Sequence, residues 1–317
     1  MFFSIVIPTY NRLPILQKCV RALEVQTLDP QMVTDYEIVV VDDGSTDGTI
    51  EWLKTSSAEL PHVKIYEQAH QGASAARNLG VERARGDTII FIDSDLVVTS
   101  TFLQSHANAL LQGQKKLGND KLFTYGAVIN TANFEDPTSE SYKIMDFSNA
   151  YFATGNVAIA RHWLIEVGLF DLGFSLYGWE DLELGVRLKN KGIEMIKCPA
   201  AVGYHWHPAF SLDRIPRMIE QEIERGKMGV VFYQKHPTFD VKMMVQMTIF
   251  HRILWNILSI GGLLNERTMK PLLQWLVDRK KPQLAEQFAR IFLNQYSVQE
   301  VHAAYQQSLK LASKSDE

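Results

Sequence analysis

A mostly parallel, doubly wound α/β sheet of Rossmann-like pattern is the fold the sequence predicts for residues 1–210, with a helical appendage over 211–317. Three observations predict it. Short apolar runs rich in β-branched residues recur along the first part of the chain, as buried strands do. Stretches with apolar residues at helical spacing lie between them, and such alternation is the pattern of a parallel sheet covered by helices. Beyond Phe210 the strand signals stop and long helical patterns remain.

Phe2 to Ile7 is the first apolar run and ends at Pro8-Thr9-Tyr10-Asn11. Leu13, Leu16, Cys19, Val20 and Leu23 then repeat along one helix face. Glu37 to Val41 is the second strand. Asp42-Asp43-Gly44-Ser45-Thr46-Asp47 closes it with acids, a glycine and residues able to cap the next helix through Ser45 or Asp47. Val63 to Tyr66 reads as a third strand, and Ala73, Ala76, Leu79, Gly80 and Ala84 form a small-residue helix face suited to close packing. Thr88 to Ile92 follows as a strand that ends at Asp93-Ser94-Asp95. From Leu122 to His207 the pattern is less regular and is punctuated by Gly155, Gly168, Gly173 and Gly178. A short helix from Glu180 to Lys191, a strand from Ile193 to Lys197 and a turn at Cys198-Pro199 are expected there. Helices over Asp213 to Gln234 and Lys242 to Ile260 come next, and a polar, frayed tail follows Ala312. Ligands of doubly wound sheets bind outside the carboxyl ends of the strands, where the polar clusters of this chain fall.

With 46% hydrophobic and 21% charged residues over 317 positions, the chain is neither a disordered tail nor a fibrous repeat. A formal charge of -4 gives no electrostatic reason for a nucleic-acid partner. Its two cysteines, Cys19 and Cys198, make no disulfide framework and no close-spaced metal motif, which fits a reducing compartment. The apolar start has no basic leader and is stopped by Pro8, so a cytoplasmic location is expected.

Asp93 and Asp95 alternate at a strand tip and therefore share a face. Two hard oxygen donors there suit Mg2+ or Mn2+, which binds through one or two carboxylates plus substrate phosphates; a solvated turn is the alternative. Asp42, also at a strand tip, can accept a hydrogen bond from a nucleobase N–H.

Ser4-Ile-Val-Ile-Pro-Thr-Tyr-Asn11, Val41-Asp-Asp-Gly-Ser-Thr-Asp47, Gly72-Ala-Ser-Ala-Ala-Arg-Asn78 and Phe91-Ile-Asp-Ser-Asp95 resemble, in order and spacing, the family 2 glycosyltransferases with the GT-A fold. The resemblance covers roughly residues 1–210. It implies a sugar transfer from a nucleotide-sugar donor to an acceptor hydroxyl, with inversion at the anomeric carbon. Pro8, Thr9 and Tyr10 would line the nucleoside pocket, Asp42 would read the base, with uridine favoured, and Arg77 would lie near the nucleotide or remain a surface helix arginine. Within Asp93-Ser94-Asp95, Asp93 would lie near ribose or metal and Asp95 on the metal that bridges the diphosphate. Tyr177-Gly178-Trp179-Glu180-Asp181 is similar to the Trp-Gly-Gly-Glu-Asp segment of galactosyltransferases and chondroitin-polymerase-like enzymes, with one glycine missing.

An inverting transfer needs one carboxylate within reach of the acceptor hydroxyl. Asp181 is the candidate base, with Glu180 orienting it or binding acceptor; alternatively both acids favour a helix N-terminus through its dipole, the reading preferred for Glu183. Trp179 either stacks on a sugar ring or anchors the turn. In Tyr204-His205-Trp206-His207 the histidines share a face, and imidazole suits Mn2+ as well as zinc. His205 is favoured over His207 as a further metal ligand, by resemblance to related enzymes. Thr154-Gly155-Asn156 resembles the family's sugar-side Gly-Asn segment, in which glycine permits close backbone approach and the amide donates to and accepts from hydroxyls; a turn glycine with a capping Asn is the alternative.

Two other functions are weighed. A nucleotidyltransferase would carry a Gly-rich basic phosphate loop near the N-terminus, which this sequence lacks. A non-catalytic nucleotide-sugar-binding or assembly subunit has no need of Asp95, Asp181 and His205 together. The acceptor is expected to be a glycan, free or lipid-linked. The amphipathic segment from Lys242 to Ile260 is expected to pack on its own domain, form a homodimer, or attach peripherally to the inner face of a membrane without spanning it.

Overall fold

Helices on both faces of a sheet bury both sides of its strands, which is why the strands here read as continuous apolar runs. The computed structural model describes residues 1–143, 146 and 150–315. Met1–Leu172 with Glu180–Pro208 make one unit, and Gly173–Trp179 with Ala209–Glu317 make a second.

In the first unit the elements run β1 (Phe2–Thr9), α1 (Leu13–Glu24), β2 (Asp35–Asp42), α2 (Thr49–Thr55), β3 (Val63–Glu67), α3 (Ala73–Arg83), β4 (Thr88–Ile92), β5 (Leu96–Val98) and α4 (Phe102–Leu117). They continue with β6 (Leu122–Thr131), β7 (Asn156–Ala160), α5 (Arg161–Val167), α6 (Glu180–Asn190) and β8 (Glu194–Trp206). The sheet order is β3-β2-β1-β4-β7-β6-β8-β5. β3, β2, β1 and β4 are mutually parallel; β7 is antiparallel to β4 and to β6, and β5 is antiparallel to β8. The mostly parallel, doubly wound sheet predicted from the sequence is therefore present, with antiparallel strands added in its irregular second half.

Alternation along each strand sorts the core. Phe3, Ile5 and Ile7 face Leu16, Cys19, Val20 and Leu23 of α1, whereas Val6, Val39 and Phe91 face Ala76, Val81 and Ala84 behind the sheet. The small-residue face of α3 lets it settle closely: a methyl group on Gly80 would lie 2.4 Å from the Val6 side chain. A buried carboxylate ties the start of the sheet together. Glu37 accepts from the Ser4 hydroxyl at 2.7 Å, from the Arg85 N–H at 2.6 Å and from the Arg85 Nε at 2.9 Å. Burial alone would raise its pKa, but these donors outweigh burial and hold it below the usual carboxylate value.

The register pairs Thr9 with Asp42, so β1 and β2 end side by side, with β4 on the other side of β1. The chain order reverses between β1 and β4, making the crevice above them the switch point where open α/β sheets bind ligands.

The second unit is built from α7 (Ile215–Lys235), α8 (Phe239–Met244), α9 (Ile249–Leu258), α10 (Glu266–Asp278) and α11 (Pro282–Ser315) around Phe210, Met269, Leu273, Leu276, Ala289 and Phe292. The sequence predicts one helix from Lys242 to Ile260; the structure breaks it in two. Gln246 takes a left-handed backbone at φ 56°, and the Thr248 hydroxyl caps the start of α9 by accepting from the His251 N–H. Where a frayed tail is expected after Ala312, α11 continues to Ser315.

Gly86 leaves no room for a side chain, because a Cβ there would stand 2.5 Å from the Phe2 carbonyl oxygen and 2.7 Å from the Ser4 nitrogen. Gly86→Ala is expected to cost about 1–3 kcal/mol, since backbone yields less readily than a side chain. Urea denaturation beside wild type checks it; an unchanged midpoint would show that the strand start adjusts freely.

Candidate active site at the strand ends

One sheet irregularity positions the site. β6 and β8 pair in step from Leu122–Glu194 to Gly126–Cys198, after which the register jumps so that Ala127 meets Val202. Pro199, Ala200 and Ala201 are the extra residues. With the original offset Asn130 would pair with Val202; with the shift it pairs with His205. Asn156 fills the gap: its amide donates to the carbonyls of Ala127 and Ala201 at 3.0 and 2.9 Å, one from each strand. Its carbonyl oxygen accepts from the buried His106 Nε2 at 2.9 Å, and the His106 Nδ1 takes the Thr124 hydroxyl at 2.7 Å. Burial pushes the His106 pKa down to about 4, so the imidazole is neutral and this tautomer is complete.

His205 is thereby set beside Asp93 and Asp95, and the three can offer ligand atoms that all lie within 4.8 Å of one another. Asn130 selects the His205 tautomer. Its amide donates to Asp146 at 2.9 Å, leaving its oxygen toward the His205 Nδ1 at 3.3 Å. Nδ1 is then the donor, and the Nε2 lone pair faces the Asp95 Oδ1 at 3.2 Å. Burial lowers the His205 pKa, opposed by Asp93 and aided by Arg12, which keeps the ring neutral. Two acceptors thus face one another, and the buried Asp95 Oδ1 has no hydrogen-bond donor. A cation satisfies both, and an N–H of the same imidazole fixed by an outer partner is the arrangement metal-ligating histidines use. The donor set of two carboxylates and one imidazole fits a divalent ion such as Mn2+. The other oxygen of Asp95 is ion-paired with Arg12 from the start of α1.

Around this centre lie the tips of the neighbouring strands. Asp42 is buried; one oxygen accepts the N–H groups of Gly44 and Ser45 at 3.2 and 2.9 Å, while Oδ1 has no partner. Pro8 and Thr9 are buried at the end of β1, and Tyr10 is exposed and stacked on His70 with ring centroids 4.2 Å apart. Asp43 shapes this loop by accepting from Gln68, the Gln71 and Gly72 N–H groups, and His70. Of the two helix-capping candidates it is Asp47 that bonds the Thr49 N–H, whereas the Ser45 hydroxyl accepts the N–H of Asn11.

Arg77 is buried in α3, donates to Asp93 at 2.9 Å and stands 3.7 Å from Glu180, so the surface alternative for it falls away. Ser94 is buried, and Gly155 lies against Asp93, where a methyl group would be 3.4 Å from the carboxylate. Asp181, in the first turn of α6, has its pKa raised to about 7. Burial is the first cause and Glu180 the second, partly offset by Arg77 and the Leu182 N–H, with Asp93 adding a further rise. Among the described residues, most buried side-chain polar atoms without a hydrogen-bond partner belong to Thr9, Asp42, Arg77, Asp95 and Glu180. Such atoms are rare in folded proteins, and their gathering at the strand ends marks a place shaped for a ligand.

Two expected ligand contacts are corrected. The Asn156 side chain is fully buried and spent on the β6–β8 gap, so it is not offered to a sugar. Trp179 is buried within the second unit, its Nε1 donates to the Arg225 carbonyl at 2.7 Å, and the Arg225 guanidinium covers its ring; it anchors the turn and cannot stack on a sugar. Glu183 is more than a dipole partner, since it is buried and ion-paired with Arg187 at 2.7 Å. Arg12, Asp43, His70 and Asn130 also shape the site, and the sequence motifs do not point to their roles. Arg12 directly follows a strand-end cluster, which is a signal; Asn130 carries none, because its role depends on a partner 75 positions away.

The comparisons with known proteins agree with this geometry. Residues 4–166 match the model of glycosyl transferase family 2, and the chain belongs to that family. Residues 137–209, which include the Glu180-Asp181 segment, match the N-terminal domain of galactosyltransferase. Chondroitin synthase of Escherichia coli is 30% identical over 242 residues, covering 65% of this chain and 34% of that protein. Hyaluronan synthase of Pasteurella multocida is 28% identical over 280 residues, covering 75% of this chain and 28% of that protein. The chain thus spans about a third or less of these two relatives. Among solved structures, S. aureus TarS 1-349 in complex with UDP covers 98% of this chain and 92% of its own at TM-score 0.52 and 15% identity. GalNAc-T7 with UDP, GalNAc and Mn2+ covers 65% of this chain and 43% of its own at TM-score 0.51 and 18% identity. At such identities the likeness shows the GT-A fold.

Asn156→Ala is expected to leave two backbone carbonyls and His106 without partners and to destabilise by about 2–4 kcal/mol. Denaturant unfolding measures it; a loss below about 0.5 kcal/mol would mean that the register shift holds without the amide.

Proposed function

We propose that the chain is a divalent-metal-dependent, inverting glycosyltransferase that moves a sugar from a nucleotide-sugar, UDP-linked, to a hydroxyl of a glycan acceptor, free or lipid-linked. The observation that carries it is a pair of facing acceptors, the buried Asp95 Oδ1 and the Nε2 of the half-buried His205, 3.2 Å apart beside Asp93. Asp93, Asp95 and His205 would hold Mn2+ or Mg2+, which when bound supplies charge compensation to the donor diphosphate. Family membership supports the reaction class, the polysaccharide synthases among the relatives support a glycan acceptor, and the UDP complexes among the structural neighbours support the nucleotide.

Pro8, Thr9 and Tyr10 form the nucleoside wall, and the partnerless Asp42 Oδ1 accepts the base N–H. Arg77 balances Asp93 and Glu180 and sits where the donor's negative charge enters. Ser94 and Gly155 line the floor, glycine admitting the donor close to the backbone. Asp181 takes the acceptor proton as oxygen bonds the anomeric carbon and the bond to the diphosphate oxygen breaks, the nucleoside diphosphate leaving with that electron pair. Glu180 orients this base. Cys19 and Cys198 are buried free thiols and take no part in this chemistry.

His205→Ala should weaken Mn2+ binding more than His207→Ala does, and Asp95→Ala should abolish it. Calorimetric titration of the three variants decides this; equal losses from both histidines would reject the assignment.

Below about pH 7 Asp181 holds its proton and cannot act as base, so kcat/KM should fall about tenfold per pH unit on that side. Asp181→Asn should lose more than about 100-fold in transfer while still binding UDP. Stability gives an independent reading. A carboxylic acid whose folded pKa lies above its unfolded one loses stability as pH rises from the ordinary carboxylate range through 7. Asp181→Asn should therefore raise Tm relative to wild type more at pH 8 than at pH 4. Wild-type turnover by this variant would remove Asp181 from the mechanism.

A further inference from the structure

Helix α9 is apolar nearly all round, yet it contains no buried residue. The side turned to its own unit carries Leu254 and Trp255, the latter donating from Nε1 to Gln246 at 2.6 Å. On the other side Ile249, Phe250, Ile253 and Ile257 follow one another within an arc of about 100° at helical periodicity, and they are 55–74% exposed. Exposure continues through Ile260 and Leu263 in the turn that follows. On a helical wheel Ile249 and Ile253 fall on the side of Arg252 and Asn256. In the structure they are the centre of an outward apolar stripe, and the polar residues beside it reduce to Arg252 and Asn256. A helix apolar all round is normally covered, and exposed patches of this kind mark binding surfaces.

Charge decides what covers it. From Val241 to Asn265 there is no Asp or Glu, although acids are the commoner charge in the chain as a whole, and the segment carries Lys242 and Arg252. A two-fold contact between copies brings the same patch onto itself, so Arg252 would meet a surface with no carboxylate to pair it. An anionic lipid surface supplies both an apolar layer for the isoleucines and negative headgroups for the arginine. At ten residues α9 is about 15 Å long, half the hydrocarbon thickness, and among the described residues no helix is long and apolar enough to cross a membrane. It can only lie in the interface.

We propose that the outer face of α9 docks the protein on the surface of an anionic bilayer, with Ile249, Phe250, Ile253 and Ile257 in the acyl boundary and Arg252 at the headgroups. The docking is independent of the transfer reaction and of the metal, and it is read without either.

The experiment is co-sedimentation of the full chain with phosphatidylcholine vesicles, with and without phosphatidylglycerol, together with light scattering of the protein alone. Wild type is expected to sediment with the phosphatidylglycerol vesicles, less so as salt rises. I253E/I257E, placed on exposed positions, should lower the bound fraction at least tenfold with unchanged thermal unfolding. R252E should lower binding to the anionic vesicles alone, so the conclusion does not hang on one variant. Wild type remaining in the supernatant with both vesicle types would overturn the proposal. Binding that the variants leave unchanged would do the same, as would a wild-type dimer split by I253E/I257E in the absence of vesicle binding.

Discussion

The Asn156 amide, bridging the Ala127 and Ala201 carbonyls, is the interaction on which the cleft depends. Three additional residues in one strand change both which residues pair and which face each side chain takes, since strand side chains alternate. Such an irregularity leaves carbonyls without ladder partners, and burying them unpaired would cost several kcal/mol. Asn156 answers both carbonyls, His106 fixes the amide, and Thr124 fixes the imidazole, so three fully buried side chains determine that His205 lies opposite Asn130 and beside Asp95. Gly126 completes the arrangement: a methyl group there would sit 2.3 Å from the Asn156 amide.

Electrostatics in the cleft are deliberately unbalanced by that geometry. Asp93, Asp95, Glu180 and Asp181 gather about Arg77 and Arg12, and the acids outnumber the cations. Burial first, and the neighbouring Glu180 second, disfavour a further charge there, and the group that yields is Asp181, whose pKa rises to about 7. The surplus of negative charge that adds to this rise is also what a cation among Asp93, Asp95 and His205 would offset. Arg12 reaches Asp95 from a half-exposed position and supplies one positive charge where the donor set accommodates two. Stability given up by leaving polar atoms of Thr9, Asp42, Arg77, Asp95 and Glu180 unmatched is the signature of a surface built to be completed by a ligand.

Much of this was legible from the sequence, for physical reasons. Strands buried on both faces leave unbroken apolar runs, so the predicted Thr88 to Ile92 coincides with β4 and the acids after it sit at a strand tip. Chemistry at strand tips depends on neighbours close in sequence, and Asp42, Asp93 and Asp95 were visible for that reason. The role of Asn156 is not legible, because its carbonyl partners are 29 and 45 positions away and nothing local distinguishes a core amide from a sugar-binding one. The break in the predicted helix from Lys242 to Ile260 had a local sign in Thr248, a good N-cap, but helical periodicity on both sides of it concealed the stop. Periodicity likewise gives a helix two faces without saying which is covered; Ile249 and Ile253 lie with Arg252 and Asn256 on the exposed one.

The missing glycine of the Trp-Gly-Gly-Glu-Asp-like segment has a structural meaning. Gly178 and Trp179 are consecutive left-handed residues, at φ 93° and 76°, immediately before Glu180 opens α6. Glycine adopts such a backbone freely, whereas a side chain there costs of order 1 kcal/mol or more. Here a tryptophan occupies the second of those positions, and its indole is tied by a hydrogen bond to the Arg225 carbonyl, covered by the Arg225 guanidinium and packed on Phe232. The side chain that makes the turn unfavourable is therefore the one that holds it. A glycine would leave the path open to other conformations; the anchored tryptophan exchanges local ease for a fixed turn.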